Sequence, residues 1–151
     1  MLAVFLLLCA VMALTHAADN GLVVQSVALC PSGWARYNNR CFLFVPTAMS
    51  WANAERHCQA QDGNLASVHS NVEYHFIQGM ILKQTQTFPN TWLGGSDAEQ
   101  DGTWLWSDGS HFTYANWCPG EPNDANGPQS CFRMNVGEKF NVFWKDRFLH
   151  T

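Results

Sequence analysis

Two cysteine and histidine pairings carry the residue types for covalent chemistry: Cys58 beside His57, and Cys131 with His111. A thiolate nucleophile needs a base within hydrogen-bond reach and a third group that orients the base. Neither pair has such a group at readable spacing, and adjacent helical residues point in different directions. The sequence therefore does not read as an enzyme. The six histidines, at 16, 57, 69, 75, 111 and 150, show no His-x-x-x-His spacing next to a Cys pair, so they read as ordinary surface or core residues. No Gly-rich phosphate cradle is present. The segment that stands out is 116–130, NWCPGEPNDANGPQS. It is almost wholly polar and turn-forming, and a loop of that length in a compact domain usually carries function.

The elements that must hold this loop are short and varied. Seven Trp and 11 Gly in 151 residues point away from a helical bundle and toward packed strands joined by tight turns. Cys30 to Cys41 encloses PSGWARYNNR, which reads as a disulfide-closed hairpin turning at Asn38-Asn39. Phe42 to Val45 is a strand that stops at Pro46. Thr47 is placed to cap a first helix, with Trp51, Ala54 and Cys58 on one face and Gly63 at its end. A second helix starts at a Ser70/Glu73 capping box, and Val72, Phe76, Ile77 and Met80 recur at helical spacing as a core stripe. From Trp92 onward the pattern changes to short strands, with Trp104-Leu105-Trp106 set between Asp101-Gly102 and Asp108-Gly109. Helices first and strands after predict an α+β domain.

With 8 Lys+Arg against 12 Asp+Glu and a formal charge of -4, the chain lacks the basic surface that nucleic acid or an anionic membrane would need. Leu2 to Leu14 is continuously apolar, LAVFLLLCAVMAL, and is followed by Ala17-Ala18. That pattern reads as a secretory signal peptide over 1–17, and at 13 residues it is shorter than the roughly 20 needed to span a bilayer. The alternative reading, a buried N-terminal helix, leaves no face for water. Residues 18–29 then form a short lead-in and 30–151 the domain. Secretion places the remaining cysteines in an oxidising compartment, where they should pair.

The hairpin, the two helices, Trp92-Leu93-Gly94-Gly95, Asn116-Trp117, Glu121-Pro122-Asn123 and Cys131 together resemble the C-type lectin-like domain, over about Cys30 to Asp146. The flavour is that of short secreted fish lectins and type II antifreeze proteins. The resemblance implies a fold with two helices, short antiparallel sheets and a long ligand-binding loop. It also implies calcium held by Glu121, Asn123, Gln129 and Asp146, which would bind a mannose-type sugar through two vicinal hydroxyls. In that pattern Gln129 stands for a Glu, Lys145 stands for an amide ligand, and the proline is typically cis. Asp97, Asp101, Asp124 and Asn126 fall where a second calcium would lie, and they read equally as turn formers.

The family's last strand and its two cysteines are missing before Thr151, so the C-terminus reads as truncated. Cys118 could then pair with Cys131, leaving Cys58 buried and free. The function implied is a secreted glycan-binding protein. An ice-binding protein, a protein-binding domain and a non-functional copy are the alternatives, and oligomer formation stays open.

Overall fold

The hairpin forms as the turn chemistry dictates. In a computed structural model that describes residues 6–12, 29–122, 131–136 and 143–147, the first strand, β1, is Leu6–Met12, and the hairpin strands are β2 (Ala35–Tyr37) and β3 (Arg40–Val45). Asn38 turns the chain at φ 53°, a left-handed conformation that Asn tolerates better than most residues. Cys30 and Cys41 are disulfide-bonded.

Helix α1 is Trp51–Gln59, three residues later than a Thr47 cap would start it. Met49 is why the chain stays extended before it: its carbonyl accepts from Trp92 Nε1 at 3.0 Å, so it is committed to the sheet. Gly63 is not the helix end either. Ala60 caps α1, and Gly63 is needed because a Cβ there would lie 2.6 Å from the Ala10 carbonyl oxygen in β1. After β4 (Asn64–Leu65), helix α2 runs from Asn71 to Thr85, and its Ser70 cap accepts from the Glu73 N–H at 3.2 Å. The core stripe of α2 is Tyr74, Ile77 and Ile81, with Phe76 and Met80 half-buried beside it. Val72, expected in the stripe, is 67% exposed.

The remaining strands are β5 (Thr91–Ser96), β6 (Leu105–Trp106), β7 (Cys131–Val136) and β8 (Phe143–Arg147). The result is α+β, as expected, but the strands form one mixed sheet instead of separate antiparallel ones. Its order is β2-β3-β1-β5-β7-β8, with β4 paired to β1 and β6 to β5. The parallel contact is β1 against β5, where Leu6 and Leu7 face Thr91 and Trp92.

Strand β1 comes from the apolar segment read above as an export signal, and it is a strand where the alternative reading had a helix. Leu8 and Ala10 join the core cluster under α2, while Leu7 and Cys9 join the cluster under α1. Successive strand residues point to opposite faces, so a strand buried on both sides is apolar at every position. Cys58 is buried as expected, but it is not free: it is bonded to Cys9. That also removes Cys58 as a nucleophile.

Glu55 fastens α1 to this frame. Although buried, its carboxylate accepts from Asn64 Nδ2 (2.6 Å), the Leu65 N–H (2.9 Å), Ser107 Oγ (3.0 Å) and Gln59 Nε2 (3.1 Å). A buried carboxylate needs such a set of donors in place of water.

Candidate functional site

The polar loop rises from an aromatic base. Trp106 stacks on Phe112 with ring centroids 5.0 Å apart. Trp104 lies 6.5 Å from Phe112 and 4.9 Å from Trp117. These rings pack against the cluster under α2, so Trp117 supports the loop's first residues as part of a packed series. Beyond it the chain turns sharply: the Glu121 N–H donates to the Cys118 carbonyl at 3.0 Å, with Gly120 at φ 84°. Glu121 is half-buried, and the Glu121-Pro122 peptide is cis, as the resemblance implies.

Asn123, Asp124, Asn126 and Gln129 lie outside the described residues. Asp146 is on β8, where the register sets it opposite Phe132, and Lys145 opposite Arg133. The expected pairing of Cys118 with Cys131 turns on the Cys131 side chain, which is also outside the described residues. Among the expected second-ion residues, Asp97 closes a turn by accepting from the Gly102 N–H at 2.9 Å, and Asp101 sits exposed in that turn. Among the described residues no three His, Cys, Asp or Glu side chains are grouped to hold a metal ion.

Residues 47–148 match the family model described as the lectin C-type domain. The chain belongs to the C-type lectin domain family. Members of this family are binding domains and not enzymes. Ladderlectin from Oncorhynchus mykiss is 49% identical over 117 residues, covering 78% of this chain but only 60% of its own length. The galactose-specific lectin nattectin from Thalassophryne nattereri is 38% identical, covering 81% of this chain and 75% of its own. Among solved structures, the herring type II antifreeze protein superposes with a TM-score of 0.71 at 35% identity, covering 80% of this chain and 91% of that one.

Sequence reasoning missed a second feature, an open cleft of about 800 Å³ lined by residues that include Val11, Arg40, Gly63, His69, Asp108 and Ser110. Its wall is a polar network. Arg40 donates to Glu73 Oε1 at 2.6 Å and to Ser67 Oγ at 2.8 Å. Ser67 Oγ donates to Asp108 through a very short bond, and Ser110 Oγ donates to the other Asp108 oxygen at 2.5 Å. His69 Nε2 lies 3.0 Å from Ser67 Oγ and 3.3 Å from Ser110 Oγ. The types are those of a Ser-His-Asp triad, but the wiring is not. Ser67 gives its proton to the carboxylate instead of to the imidazole, its oxygen also receives Arg40, and it is wholly buried. Nothing local in the sequence marks the network, since Arg40, Ser67 and Asp108 are separated by 27 and 41 residues.

Burial alone would raise the Asp108 carboxyl, but the hydrogen bonds from Ser110 and Ser67 and the Arg40 charge together hold it below its ordinary value of 3.8. A depressed carboxyl stabilises the fold above the unfolded value, and that stabilisation is lost as pH falls through the folded value. Melting temperatures recorded from pH 6 down to about 2 should therefore drop below about pH 4. Asp108→Asn should start from a lower melting temperature and show a shallower acid limb. An unchanged acid limb would mean that other carboxyls govern it.

Proposed function

We propose that this chain is an exported glycan-binding protein that takes mannose-type sugars through its 116–130 loop and the neighbouring Asp146. The observation that carries this reading is the seat of Glu121, half-buried on a tight turn that stands on the Trp104, Phe112 and Trp117 rings, in a chain that belongs to the C-type lectin domain family. Glu121 and Asn123 would bind both the ion and the sugar. Gln129 and Asp146 would complete the set.

The donor chemistry fits calcium: two carboxylates and two amide oxygens are hard ligands, and they leave places in a shell of six to eight. When bound, calcium would supply two open positions for vicinal hydroxyls. The neighbouring carboxylate and amide accept from and donate to those same hydroxyls. Lys145 works against the ion, so weak binding is expected. Export is supported by the apolar Leu2 to Leu14 segment and by the Cys30–Cys41 disulfide, which needs an oxidising compartment. No helix among the described residues is long and apolar enough to cross a membrane.

Calorimetric titration with calcium, repeated in mannose and in galactose, tests the reading. Binding of calcium that mannose tightens and galactose does not is the expected result. Nattectin is named as galactose-specific, so the opposite sugar order would keep the site and change its ligand. Absence of calcium heat from a folded protein would sink the calcium route. Ice binding is the second reading, favoured by the similarity to the herring antifreeze protein, and freezing-point hysteresis without calcium would establish it.

A further inference from the structure

We propose that Tyr74 is a positioning residue for the 116–130 loop: from inside the fold, its phenol ties the chain entering the loop to the strand leaving it. The inference rests on that loop being the glycan and calcium site proposed above, and it names what holds the two halves of the donor set in place.

Tyr74 stands at the end of the first turn of α2 and is almost wholly buried. Its phenol oxygen receives Gln78 Nε2 at 3.4 Å, and it is hydrogen-bonded to the Asn116 side chain and to the Asn135 backbone. Asn116 is the first residue of the loop. Asn135 is on β7, the strand that starts at Cys131 directly after the loop. One hydroxyl on α2 thus reaches both flanks of the segment.

Asn135 is itself held in an uncommon conformation. Its φ is 68°, left-handed, inside a strand whose register against β8 shifts between Arg133 and Val136. A non-glycine residue stays in that region only where its surroundings fix it from several sides. Here Asn135 Nδ2 donates to the Pro89 carbonyl at 2.9 Å, and Asn135 Oδ1 accepts from Gln78 Nε2 at 3.5 Å. The entering flank is stitched to α2 a second time, since the Tyr114 hydroxyl donates to Asn71 Oδ1 at 3.4 Å.

This placement matters because the proposed donors divide between the two flanks. Glu121 and Asn123 follow Asn116, Gln129 precedes Cys131, and Asp146 on β8 is set opposite Phe132 of β7. An ion shared by both halves binds best when their separation is fixed in advance, and a loop pinned at both ends has less freedom left to lose. Burial raises the Tyr74 ionisation well above its ordinary value, and the hydrogen bonds to Asn135 and Asn116 offset that only in part. The phenol therefore keeps its proton, and the clamp does not change with pH across the neutral range.

The test is Tyr74→Phe in the full chain, which removes the hydroxyl and keeps the ring. Calcium is titrated by calorimetry at a temperature where every variant is folded, with Ile81→Val as a core control on the same helix. Tyr74→Phe should bind calcium about ten-fold more weakly, and the control should match the parent. Asn116→Ala should cost about as much, and the double variant no more than either single one, because both remove the same bond. A phenol that only supports the core would lower the melting temperature and leave the calcium constant unchanged, which would overturn the proposal. So would single effects that multiply in the double variant.

Hydrogen exchange in calcium-free protein separates failure of the clamp from failure of the calcium site. Tyr74→Phe should speed amide exchange in 116–122 and 131–136 together while leaving α1 unchanged, and Ile81→Val should not. If the parent binds no calcium and the two flanks still loosen together, the clamp stands and the calcium reading falls. If neither flank loosens, Tyr74 does not position the loop, whatever the parent binds.

Discussion

Arg40→Ala should lower the stability of the fold by about 4 kcal/mol, because removing one partner of a buried ion pair leaves the other charged and dry. Arg40 and Glu73 are 2.6 Å apart, with side chains only 12% and 5% exposed. Arg40 also donates to Ser67 through both its hydroxyl and its carbonyl oxygen, lies 3.9 Å from Asp108, and sits over the Phe42 ring at 4.8 Å. One side chain on β3 thus ties the start of α2 to the turn after β6. Glu73 keeps one donor, the His69 N–H at 2.8 Å, which is too little for a carboxylate in that position.

At roughly 3 °C per kcal/mol for a domain of this size, the melting temperature should fall by about 12 °C. The double variant Arg40→Met with Glu73→Gln should recover about half of the loss, since neither charge is then orphaned. A single variant within about 1 kcal/mol of the parent would show that water reaches Glu73 and that the pair is worth no more than a surface one.

Features set by neighbours in the chain were legible. The Cys30 to Cys41 hairpin, the Ser70 cap and the tight turn before Glu121 each depend on residues within a dozen positions. Features set by distant partners were not. A run that is apolar on every face reads the same way whether it is a leader or a strand buried on both sides. The bond from Cys9 to Cys58, 49 residues away, leaves no local mark in the sequence.

Gly63 shows the same limit on a smaller scale. A glycine shortly after a helical stripe reads as a cap, while its actual reason is the approach of a strand from the far end of the sequence. Val72 was misassigned because the periodic stripe fixes a face only to within one residue, and Tyr74 took the buried place. In the candidate site, the turn chemistry around Gly120 and Pro122 was readable, and so was the aromatic character of its surroundings. That Trp104, Phe112 and Trp117 would stack as one support was not, because aromatic residues at irregular spacing carry no periodic signal.

Lys145→Asn should tighten calcium binding by roughly thirty-fold, the largest gain any single change at this site should give. Lys145 adjoins Asp146, one of the four proposed donors, on β8. An ammonium offers no acceptor to the ion and brings a like charge near it. A unit charge about 8 Å from a divalent ion, in an effective dielectric of about 40, repels it by about 2 kcal/mol. That estimate already allows the long side chain to swing toward solvent, because closer approach or a drier site would raise it.

Two effects are combined in Lys145→Asn, loss of a charge and gain of an amide oxygen, and Lys145→Met separates them. If repulsion dominates, the methionine variant should gain nearly as much as the asparagine variant, and both gains should shrink in high salt. If the missing oxygen dominates, only the asparagine variant should improve, with little salt dependence, because coordination is short-ranged. Should both variants bind calcium no better than the parent in calorimetry, Lys145 has no influence on the ion. The weakness of the site would then have to come from Gln129, whose amide replaces a carboxylate, and Gln129→Glu would be the change that restores binding.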